Sequence, residues 1–353
     1  MTSSPSRMQQ GDLCLVTGGS GFLATWIEKY LLEDGYRVRG TVRSLKDTEK
    51  LQTLQALLPG AEFVEADLRN ADGWAAAVQG CKWVFHVATP QAVKGETDRV
   101  GGAVAGTKYI LEAALKTSTV QKVVVTSSEA AVAYGHPRTK TEISEDDWTD
   151  TEVVREDYMR SKPLAERAAW AIANDPAQNP NKVPLSTVCP GLILGPSLVP
   201  WGRYSLQLLK DIAEGTQPVL PDMTLHVVDV RDCARMHITI MNADATDGHR
   251  HLSFGAVGKM VDLGLLVREQ YQGQGLKPTT RLLPKALACV LRFVSQDVAA
   301  IYSRIGVHIP YTTRYPDVYA YQYTSLPDMV HSSMQSMLEH SWIVLQPDQT
   351  TKP

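Results

Sequence analysis

Several features that would place a protein in a specialised class are missing from this chain of 353 residues. Its formal net charge is only −3, so it lacks the basic surplus that favours binding to nucleic acid or to an anionic membrane. Residues 1–12 are polar and contain no apolar run of the kind found in signal peptides, and we therefore expect a cytoplasmic protein. No internal repeat or low-complexity tract is present.

Cysteine is scarce, and its distribution argues against disulfides and structural metal. The five cysteines are isolated from one another along the chain: Cys14, Cys81, Cys189, Cys233 and Cys289. None belongs to a Cys-x-x-Cys pair, and four lie in or beside apolar segments, which favours free buried thiols in a reducing compartment. His249 and His251 have no further ligand pattern beside them, so we predict no metal site.

The chain does have ample material for a core. Hydrophobic residues make up 44% and charged residues 21%, and the length suits one large domain or two coupled domains. Residues 284–305 have an apolar helical face, but Lys285, Arg292 and Asp297 interrupt it too often for a membrane span. We expect this stretch to pack in the core rather than to form a dimer face, and both a monomer and a homodimer stay open.

An apolar segment that begins at Leu13 leads into a glycine-rich turn and then into a helix. The apolar segment does not alternate with polar residues, which predicts a strand buried on both faces, as in a parallel sheet. Gly18 allows a sharp turn, and Gly21 lets the backbone approach a pyrophosphate at the N-terminus of the helix. Ala24 is small enough for the helix to pack closely on the strand. A glycine turn in this context indicates a dinucleotide site.

Segments typical of strands and helices alternate through the first half of the chain. The further predicted strands are residues 37–42, 62–66, 83–87, 122–126 and 185–189, and residues 106–116 are predicted to be helical. Strands separated by helices imply right-handed crossovers in a parallel sheet. We therefore predict an α/β fold with a doubly wound Rossmann-type parallel sheet and a smaller, mostly helical C-terminal substrate-binding region.

The end of the second strand indicates which dinucleotide binds. Sheets of this kind that bind NAD carry an acidic residue about twenty positions beyond the glycines, where it holds the ribose hydroxyls. This chain has Thr41-Val42-Arg43-Ser44 there, without a carboxylate. An arginine at a strand end is often merely solvated, but Arg43 also suits a 2′-phosphate, and Lys50 adds a second positive charge. We predict NADP(H) as the cofactor.

Two further segments carry side chains suited to proton transfer. The fifth strand ends in Thr126-Ser127-Ser128, which places hydroxyls at the edge of the sheet where ligands bind. Tyr158 and Lys162 are four residues apart on a predicted helix and therefore share one face. A phenol has a pKa of about 10, and a neighbouring ammonium lowers it by about 1–3 units. A Tyr-x-x-x-Lys pair alone is common in helices, but together with the glycine turn and the serines it indicates an acid–base site.

On these residues the chain resembles the extended short-chain dehydrogenase/reductases, and among them the dihydroflavonol-reductase-like ketone and aldehyde reductases. The resemblance covers residues 11–260 well and is weaker beyond, where residues 326–338 still resemble the closing helix of the family. The segments that carry it are residues 17–24, 35–43, 66–68, 84–90, 125–128, 158–166 and 190–196.

The resemblance implies a catalytic set of one serine, one tyrosine and one lysine. Ser128, the second serine of its pair, would hydrogen-bond the substrate carbonyl. Tyr158 would deliver a proton as that carbonyl takes hydride from the nicotinamide. Lys162 would hold the ribose hydroxyls and tune Tyr158.

The resemblance also implies a cofactor site assembled from several segments. Asp67 and Leu68 would flank the adenine. Ala88, Thr89 and Pro190 would line the ribose and the nicotinamide end. The other cofactor-binding residues that we predict, besides Arg43 and Lys50, are Thr17, Gly18, Ser20, Gly21, Phe22, Leu23, Val87, Thr126 and Leu192.

Three departures from the family pattern bear on function. Pro163 follows Lys162 directly, and because proline costs about 3 kcal/mol in a helix interior, we expect the helix to begin closer to Tyr158 than usual. The plant flavonoid reductases carry a substrate-binding asparagine where this chain has Ala133, which argues against a flavonoid substrate. Residues 101–107 lack the asparagine that many relatives place before Gly-Thr, so contacts near the catalytic serine are expected to differ.

The second half is expected to supply a lid and a substrate pocket. Residues 198–215 leave the sheet after the sixth strand and should cover the nicotinamide. The substrate-binding residues that we predict are Pro90, Ala133, Trp201 and Tyr204. The tyrosine-rich loop 311–323 is either a pocket wall or ordinary surface, and Asp229 and Asp232 are expected to cap a helix rather than to catalyse.

These predictions divide the chain into two functional regions. Residues 11–190 plus about 222–258 are predicted to form the NADP-binding domain, and about 191–221 plus 259–346 the substrate-binding lid and C-terminal region. The predicted reaction is NADPH-dependent reduction of a small or medium, partly apolar ketone or aldehyde to an alcohol.

Three alternatives are weighed against this reaction: a hydroxysteroid-dehydrogenase-like enzyme, a sugar-nucleotide-modifying enzyme of the same superfamily, and a protein that senses NADP without turnover. The intact Ser128, Tyr158 and Lys162 argue against a sensor. A sugar-nucleotide enzyme would need a basic lid for the diphosphate, and residues 198–215 contribute only Arg203 and Lys210.

Overall fold

A computed structural model describes residues 7–90, 98–137, 139–202, 205–316 and 322–345. In this part of the chain the strands are β1 Leu13–Val16, β2 Arg37–Val42, β3 Glu62–Glu65, β4 Trp83–His86, β5 Lys122–Thr126, β6 Leu185–Pro190, β7 Leu192–Leu194, β8 Thr224–Asp229, β9 Arg250–Ser253 and β10 Ala256–Lys259. The helices are α1 Phe22–Glu33, α2 Thr48–Leu57, α3 Trp74–Val78, α4 Arg99–Lys116, α5 Asp157–Ala173, α6 Gln207–Glu214, α7 Val230–Asn242, α8 Met260–Gln270, α9 Lys285–Leu291, α10 Gln296–Ile301 and α11 Leu326–Glu339. Short 3₁₀ helices span Glu129–Ala131, Asp244–Thr246 and Tyr302–Arg304.

Seven parallel strands form the main sheet in the order β3-β2-β1-β4-β5-β6-β9. The first six follow the doubly wound order 3-2-1-4-5-6, in which the chain reverses its direction of winding between β1 and β4. Ligands bind in such folds beyond the carboxyl ends of the strands at this reversal. The predicted Rossmann-type sheet is therefore confirmed, and its topology places the glycine turn after β1 at the expected cleft.

Helices cover both faces of this sheet. All four residues of β1 are buried: Cys14 and Val16 face the cluster that includes α1 and α7, and Leu13 and Leu15 face the cluster that includes α3, α4 and α5. Helix α1 packs along α7, and α4 packs along α5. Burial of both strand faces explains why the sequence of β1 is apolar throughout.

A second, smaller sheet continues the chain beyond the carboxyl edge of the first. Strand β7 follows β6 after a single residue and pairs in parallel with β8, whose other neighbour is the antiparallel β10. Asp229 ends β8 and caps α7 by accepting the N–H of Arg231 at 2.8 Å, as predicted. Asp232, in the first turn of α7, accepts the N–H of Thr324 at 2.8 Å and so ties α7 to the segment before α11.

Helix α4 begins earlier than the sequence pattern predicts, at Arg99 rather than Gly106. Asp98 stabilises the earlier start because its side chain accepts the N–H of Gly101 at 2.7 Å. Gly106 is needed for packing, since a Cβ there would lie 2.8 Å from the Cβ of Leu68. Gly106 thus permits close contact with the segment after β3 instead of marking the start of the helix.

The apolar stretch 284–305 forms two short helices, α9 and α10, and its packing is only partly the predicted one. Ala288 is buried, and Leu291 lies half-buried against the main core cluster. Val290 and Val294 are instead 63% and 80% exposed. The expectation of core packing is therefore wrong for these two valines.

Within the described ranges, no helix is long and apolar enough to cross a membrane. The same residues hold no group of three or more His, Cys, Asp and Glu side chains arranged to bind a metal ion. All five cysteines are free thiols. Burial raises the pKa of Cys81 to about 11 and the pKa values of Cys189 and Cys233 to about 12, so these thiols stay protonated near neutral pH.

Candidate active site

The glycine turn between β1 and α1 has the backbone geometry that a pyrophosphate site requires. Gly18 has a φ of +69°, and its N–H donates to the Oγ1 of Thr41 at 2.9 Å. Gly21 donates to the carbonyl of Gly18 at 2.7 Å and is the N-cap of α1, where no side chain caps the helix. The first backbone N–H groups of α1 are therefore available to an anionic ligand.

A buried acid lies directly beneath this turn. Glu28 of α1 is fully buried, and a Cβ at either Gly19 or Gly40 would collide with its Oε1. Burial raises the pKa of Glu28 well above its usual value, so the side chain is a neutral carboxylic acid. Glycine at both positions is thus explained by the volume of Glu28, a role that the sequence pattern alone did not indicate.

Thr17 joins the ends of β1 and β4, the two strands that flank the cleft. Its Oγ1 accepts the backbone N–H groups of Val87 and Ala88, each at 3.0 Å, and lies 2.9 Å from the Nδ1 of His86. Burial lowers the pKa of His86 to about 3, so the imidazole is neutral. Because both lone pairs of Thr17 are occupied, its hydroxyl proton goes to Nδ1 and fixes His86 as the Nε2–H tautomer.

A positively charged cleft lies at the carboxyl end of β2. It is lined by Val42, Arg43, Ser44, Asp47, Lys50, Leu51 and Arg69. Burial and the charge of Arg43 lower the pKa of Lys50, which indicates how closely the two cations approach each other. The cleft thus brings together the two basic residues that we predicted for a 2′-phosphate.

Arg69 is a third cation in this cleft, and sequence reasoning missed it. Its Nε donates to both carboxylate oxygens of Asp67, at 3.0 and 2.9 Å, and this pairing lowers the pKa of Asp67. The sequence feature that could have identified Arg69 is its position two residues after Asp67, just beyond the end of β3. Leu68 between them is buried, and Arg69 is the member of this segment that lines the cleft.

Trp201 does not join the predicted catalytic residues. Its Nε1 donates to the carbonyl of Ser20 in the glycine turn at 2.8 Å, and the Nζ of Lys50 lies 5.0 Å from the centre of its ring. Trp201 also packs on the small cluster of Val42, Leu54 and Val199. This placement favours a contact with the cofactor over the predicted contact with substrate, while Tyr204 lies outside the described residues.

Ser128, Tyr158 and Lys162 are brought together at the carboxyl edge of the main sheet. The Oγ of Ser128 lies 3.4 Å from the hydroxyl of Tyr158. The Nζ of Lys162 donates to the Oγ1 of Thr89 at 2.8 Å and lies 5.8 Å from the centre of the Tyr158 ring. The ends of β4 and β5 and the helix α5 thus bring together residues that are far apart in the sequence.

The pKa of Tyr158 is shifted in the direction opposite to the predicted one. Burial raises its pKa, and the hydrogen bond between Ser128 and Tyr158 and the positive charge of Arg99 counteract that rise only in part. The prediction of a lowered pKa is therefore wrong for this structure, and the phenol is protonated at neutral pH. Arg99, whose guanidinium lies 5.3 Å from the centre of the Tyr158 ring, is a further neighbour that the sequence did not reveal.

Helix α5 begins at Asp157, one residue before Tyr158, in agreement with the expected late start. Glu156 caps it by accepting the N–H of Met159 at 2.8 Å. Pro163 lies inside the helix, so its ring nitrogen offers no proton to the carbonyl of Met159. The short first turn thus orients Tyr158 and Lys162 toward β5.

The two neighbouring serines have different partners. Ser127 donates to the Oε2 of Glu166 at 2.6 Å, whereas Ser128 lies against Tyr158. Glu166 also accepts from Thr187 at 2.8 Å and from the Nε of Arg250 at 2.6 Å. Although burial raises the pKa of Glu166, Arg250 and these hydroxyls hold it below its usual range. Ser127 is therefore part of a buried anchor between α5, β6 and β9.

The other predicted residues occupy the same rim of the sheet. Pro90, Ala88, Thr89 and Thr126 line a cavity together with His86 and Lys162. The Oγ1 of Thr126 forms a hydrogen bond with the Nε2 of His237 at 2.9 Å.

Ala133 is buried in a small cluster with Val132, Ile143, Cys189 and Leu252. Four further predicted residues are buried, Phe22, Leu23, Leu68 and Pro190, and two are half-buried, Val87 and Leu192.

Comparison with known proteins agrees with this geometry. Residues 14–255 match the family described as the NAD dependent epimerase/dehydratase family. The chain is 33% identical over 278 residues to cinnamoyl-CoA reductase CAD2 of Medicago truncatula, covering 75% of this chain and 83% of that protein. It is 32% identical over 257 residues to vestitone reductase of Medicago sativa, covering 69% and 77%.

Solved structures give the same picture of the fold. The vestitone reductase of alfalfa superposes with a TM-score of 0.72 at 27% identity, covering 94% of this chain and 99% of that one. Yeast methylglyoxal/isovaleraldehyde reductase Gre2, complexed with NADPH, superposes with a TM-score of 0.75 at 22% identity over 94% and 99% of the two chains.

The doubly wound sheet and the dinucleotide cleft define a nicotinamide-dependent oxidoreductase. The chain belongs to the NAD dependent epimerase/dehydratase family, the extended branch of the short-chain dehydrogenase/reductases. The resemblance to the dihydroflavonol-reductase-like group is confirmed by relatives that are named reductases.

Proposed function

We propose that this protein catalyses the NADPH-dependent reduction of a ketone or aldehyde to an alcohol. The observation that carries the proposal is the 3.4 Å approach of the Ser128 Oγ to the Tyr158 hydroxyl, with the Lys162 ammonium 5.8 Å from the same ring. This arrangement offers one neutral proton donor and one hydrogen-bond donor to a single carbonyl oxygen. Such a pair is what the conversion of a carbonyl to an alcohol needs from the protein.

The residues divide the chemistry among them. Ser128 holds the substrate oxygen, and Tyr158 transfers its proton to that oxygen as negative charge develops there. Lys162, fixed by Thr89 at 2.8 Å, holds the ribose of the cofactor and stabilises the phenolate that remains. NADPH supplies the hydride when bound. The cleft fits a dinucleotide because the glycine turn presents uncapped N–H groups and β2 ends in cations.

The charge at the end of β2 supports NADPH over NADH. Arg43, Lys50 and Arg69 line the cleft there, and Asp67, the nearby carboxylate, is already paired with Arg69. A 2′-phosphate would meet two or three cations. The carboxylate among the lining residues, Asp47, accepts the N–H of Lys50 at 3.2 Å as the N-cap of α2, so the ribose hydroxyls of NADH would find only an acid that already caps a helix. We also assign cofactor binding to residues 11–190 plus about 222–258, and substrate binding to about 191–221 plus 259–346.

The wall of the site nearest Ser128 supports a partly apolar substrate. Ala133 is buried among Val132, Ile143, Cys189 and Leu252, with the rings of Phe254 and Tyr311 packed against this cluster. Two relatives, cinnamoyl-CoA reductase and vestitone reductase, are named for the reduction of cinnamoyl-CoA and of vestitone. An alanine at position 133 offers no hydrogen bond to a substrate hydroxyl, so we assign a small or medium aldehyde or ketone with an apolar substituent.

A panel of carbonyl compounds tests this function directly. The purified chain is mixed with NADPH and, one at a time, with aliphatic and aromatic aldehydes and ketones, a 3-ketosteroid and a UDP-sugar, and the loss of NADPH absorbance is followed. The proposal predicts turnover of at least one apolar aldehyde or ketone, with NADH a poorer reductant. Tight NADPH binding without turnover of any compound would identify a sensor and contradict the proposal. Conversion of the UDP-sugar alone would contradict it as well.

A further inference from the structure

A buried cluster of charged and aromatic side chains lies beside the catalytic serine and takes no part in the chemistry proposed above. Its centre is Glu129, the residue directly after Ser128. The Oε1 of Glu129 accepts the hydroxyl proton of Tyr311 at 2.7 Å and lies 3.4 Å from both Nη1 and Nη2 of Arg304. The Nδ1 of His226 lies 3.3 Å from the same oxygen. One carboxylate oxygen thus has three partners from outside its own segment.

The partners of Glu129 come from two different regions of the chain. His226 is on β8, whereas Arg304 and Tyr311 belong to the C-terminal segment 302–311, which begins with the third 3₁₀ helix. The ring of Tyr311 contacts the ring of His226 with centroids 4.0 Å apart, and Arg304 lies 4.7 Å from the ring centre of Tyr134. The cluster therefore ties the segment 302–311 to the residue next to Ser128.

The ion pair within this cluster is largely shielded from solvent. The side chains of Glu129 and Arg304 are each 14% exposed, and His226 is 3% exposed. Although burial raises the pKa of Glu129, His226, Arg304 and Tyr311 together hold it below its usual range, so the carboxylate is charged. A buried charge that loses its partner is strongly unfavourable, so the geometry of residue 129 depends on Arg304 and Tyr311 being in place.

The orientation of Ser128 depends on residue 129 through the backbone. Ser128 is the N-cap of the 3₁₀ helix that begins at Glu129, and its Oγ accepts the N–H of Ala130 at 3.1 Å while facing Tyr158. A change in the backbone at Glu129 would therefore move this Oγ relative to the Tyr158 hydroxyl. A misplacement of about 1 Å in an active site reduces the rate by about 10²-fold.

We propose that Glu129 and Arg304 are a positioning pair that aligns Ser128 with Tyr158 when the segment 302–311 is docked. This inference rests on the proposed function, because it gives Ser128 the task of holding the substrate carbonyl. Neither Glu129 nor Arg304 is assigned contact with the reacting atoms. The pair makes turnover depend on the C-terminal segment, while NADPH binding, which we assign to the glycine turn, the cations at the end of β2 and Lys162, does not use Glu129 or Arg304.

Glu145 provides a matched control for this pair. It is 4% exposed, and it accepts the hydroxyl of Thr313 at 2.5 Å and the backbone N–H of Arg314 at 3.3 Å. Glu145 therefore fastens the chain just beyond Tyr311, yet it lies in the loop before α5 rather than next to Ser128. Loss of its charge weakens a contact to residues 313–314, just beyond the segment 302–311, and leaves the contacts of Glu129 with Arg304 and Tyr311 in place.

The test compares Glu129→Gln, Tyr311→Phe, Arg304→Lys and Arg304→Met with Glu145→Gln. NADPH binding sites are counted by calorimetry, and kcat is expressed per binding site, so that partial unfolding does not count as lost turnover. We expect Glu129→Gln and Arg304→Met to lower kcat by about 10- to 100-fold, with the NADPH Kd changed by less than about threefold. Arg304→Lys should recover part of the loss, and Tyr311→Phe, which keeps its ring contacts, should show a smaller loss in the same direction. Glu145→Gln should leave kcat within about threefold of the native value.

Equal losses of kcat in Glu129→Gln and Glu145→Gln would overturn the positioning pair, because docking alone would then explain the effect. Native kcat in both Tyr311→Phe and Arg304→Met would overturn it as well, and these variants carry the test if Glu129→Gln does not fold. Ser128→Ala separates the two proposals. A fully active Ser128→Ala contradicts the proposed function itself, whereas an inactive Ser128→Ala beside fully active Glu129 and Arg304 variants contradicts only the pair.

Discussion

At the scale of single residues, the two serines after β5 illustrate how neighbours acquire different roles. Ser127 donates to the buried carboxylate of Glu166, and Ser128 lies within reach of Tyr158. The side chain of the first serine is therefore committed to the structure, and only the second is placed for chemistry.

This division predicts opposite phenotypes for the two alanine variants. Ser128→Ala should lower turnover by about 10²-fold or more, because a preorganised hydrogen-bond donor is lost, while stability changes little. Ser127→Ala should cost about 1–3 kcal/mol of unfolding free energy, because Glu166 loses a buried donor, and should affect turnover less. Steady-state kinetics and urea unfolding of both variants measure the two quantities. A Ser127→Ala variant with the lower kcat would contradict the assignment.

Arg43 predicts a second residue-scale outcome. NADPH should bind at least about tenfold more tightly than NADH, because a charge-assisted hydrogen bond contributes about 1.5–3 kcal/mol. Arg43→Ala should remove most of this preference without changing NADH affinity, whereas alanine at the exposed Lys46, which is not among the lining residues of the cleft, should not. Calorimetric titrations with both cofactors measure the ratio. Equal affinities in the native protein would contradict the proposed role of Arg43.

The sequence alone identified those residues whose role is indicated by their neighbours in the chain. Ser128, Tyr158 and Arg43 stand at strand ends or on a helix face that a local pattern identifies. Arg99 and Arg304 could not be found in this way, because each is recognised only by a contact with a side chain far away in the sequence.

At the scale of elements, helix α5 depends on a buried anchor as much as on its own sequence. Its Pro163 weakens the hydrogen bonding of the second turn, and the ion pair between Glu166 and Arg250 fixes the helix to β9. The side chains of the two residues are only 1% and 9% exposed. The position of Tyr158 is thus determined partly by an interaction two helical turns further along.

Removal of this anchor should be costly. Glu166→Ala leaves Arg250 buried without its partner and should lower the unfolding free energy by about 3–5 kcal/mol. Glu33→Ala, which removes an exposed (i, i+4) pair with Lys29, is the control and should change stability by about 0.5 kcal/mol or less. Urea unfolding monitored by circular dichroism gives both values. Similar losses in the two variants would show that the anchor contributes little.

Among the elements, those with a strong local pattern are predicted best. The predicted bounds of β2 and β5 agree with the structure. The core of β5 is a run of three valines, and β2 follows the glycine turn that ends α1. The start of α4 was missed because its glycines argue locally against a helix, and the sequence does not reveal that a side chain at Gly106 would collide with Leu68 or one at Gly101 with the capping Asp98. The helices α9 and α10 were predicted as one region because hydrophobicity does not reveal where a helix breaks.

At the scale of the whole molecule, the order of the main sheet follows from rules that the sequence obeys. Parallel strands with right-handed crossovers leave few possible arrangements, and the observed order is one of them. The second sheet was not predicted, since β7 has only three residues and its pairing with β8 joins segments some thirty positions apart. Tertiary packing, rather than local propensity, determines such a strand.

The buried histidines predict how the whole molecule responds to acid. Burial lowers the pKa of His86 to about 3 and the pKa values of His237 and His251 to about 4, from an ordinary value of 6.5. Between pH 6.5 and these lowered pKa values, the unfolded chain binds protons that the folded chain does not. The contribution of the neutral histidines to the free energy of unfolding is therefore complete above pH 6.5 and falls as the pH decreases. Each such histidine contributes a slope of about 1.4 kcal/mol per pH unit.

Urea unfolding between about pH 6.5 and pH 5 measures this slope. Glu28 opposes it, because burial favours its protonated carboxyl in the folded chain, whereas the unfolded chain releases that proton in this window. Stability is expected to fall from pH 6.5 to pH 5 because three histidines outweigh one carboxyl, and His251→Gln should reduce the slope by about one proton. A stability that is independent of pH in this window would contradict the burial of these histidines in their neutral form.

In the proposed mechanism Tyr158 donates the proton to a carbonyl oxygen held by Ser128, and the turnover of a Tyr158→Phe variant tests this step directly. Turnover of NADPH with the best carbonyl substrate is compared between the native protein and Tyr158→Phe, which keeps the ring but removes the hydroxyl that lies 3.4 Å from Ser128. The account predicts a loss of turnover of about 10²–10⁴-fold, with NADPH affinity changed by no more than a few-fold. A Tyr158→Phe variant that turns over as fast as the native protein would contradict it, because another group or water would then protonate the alkoxide.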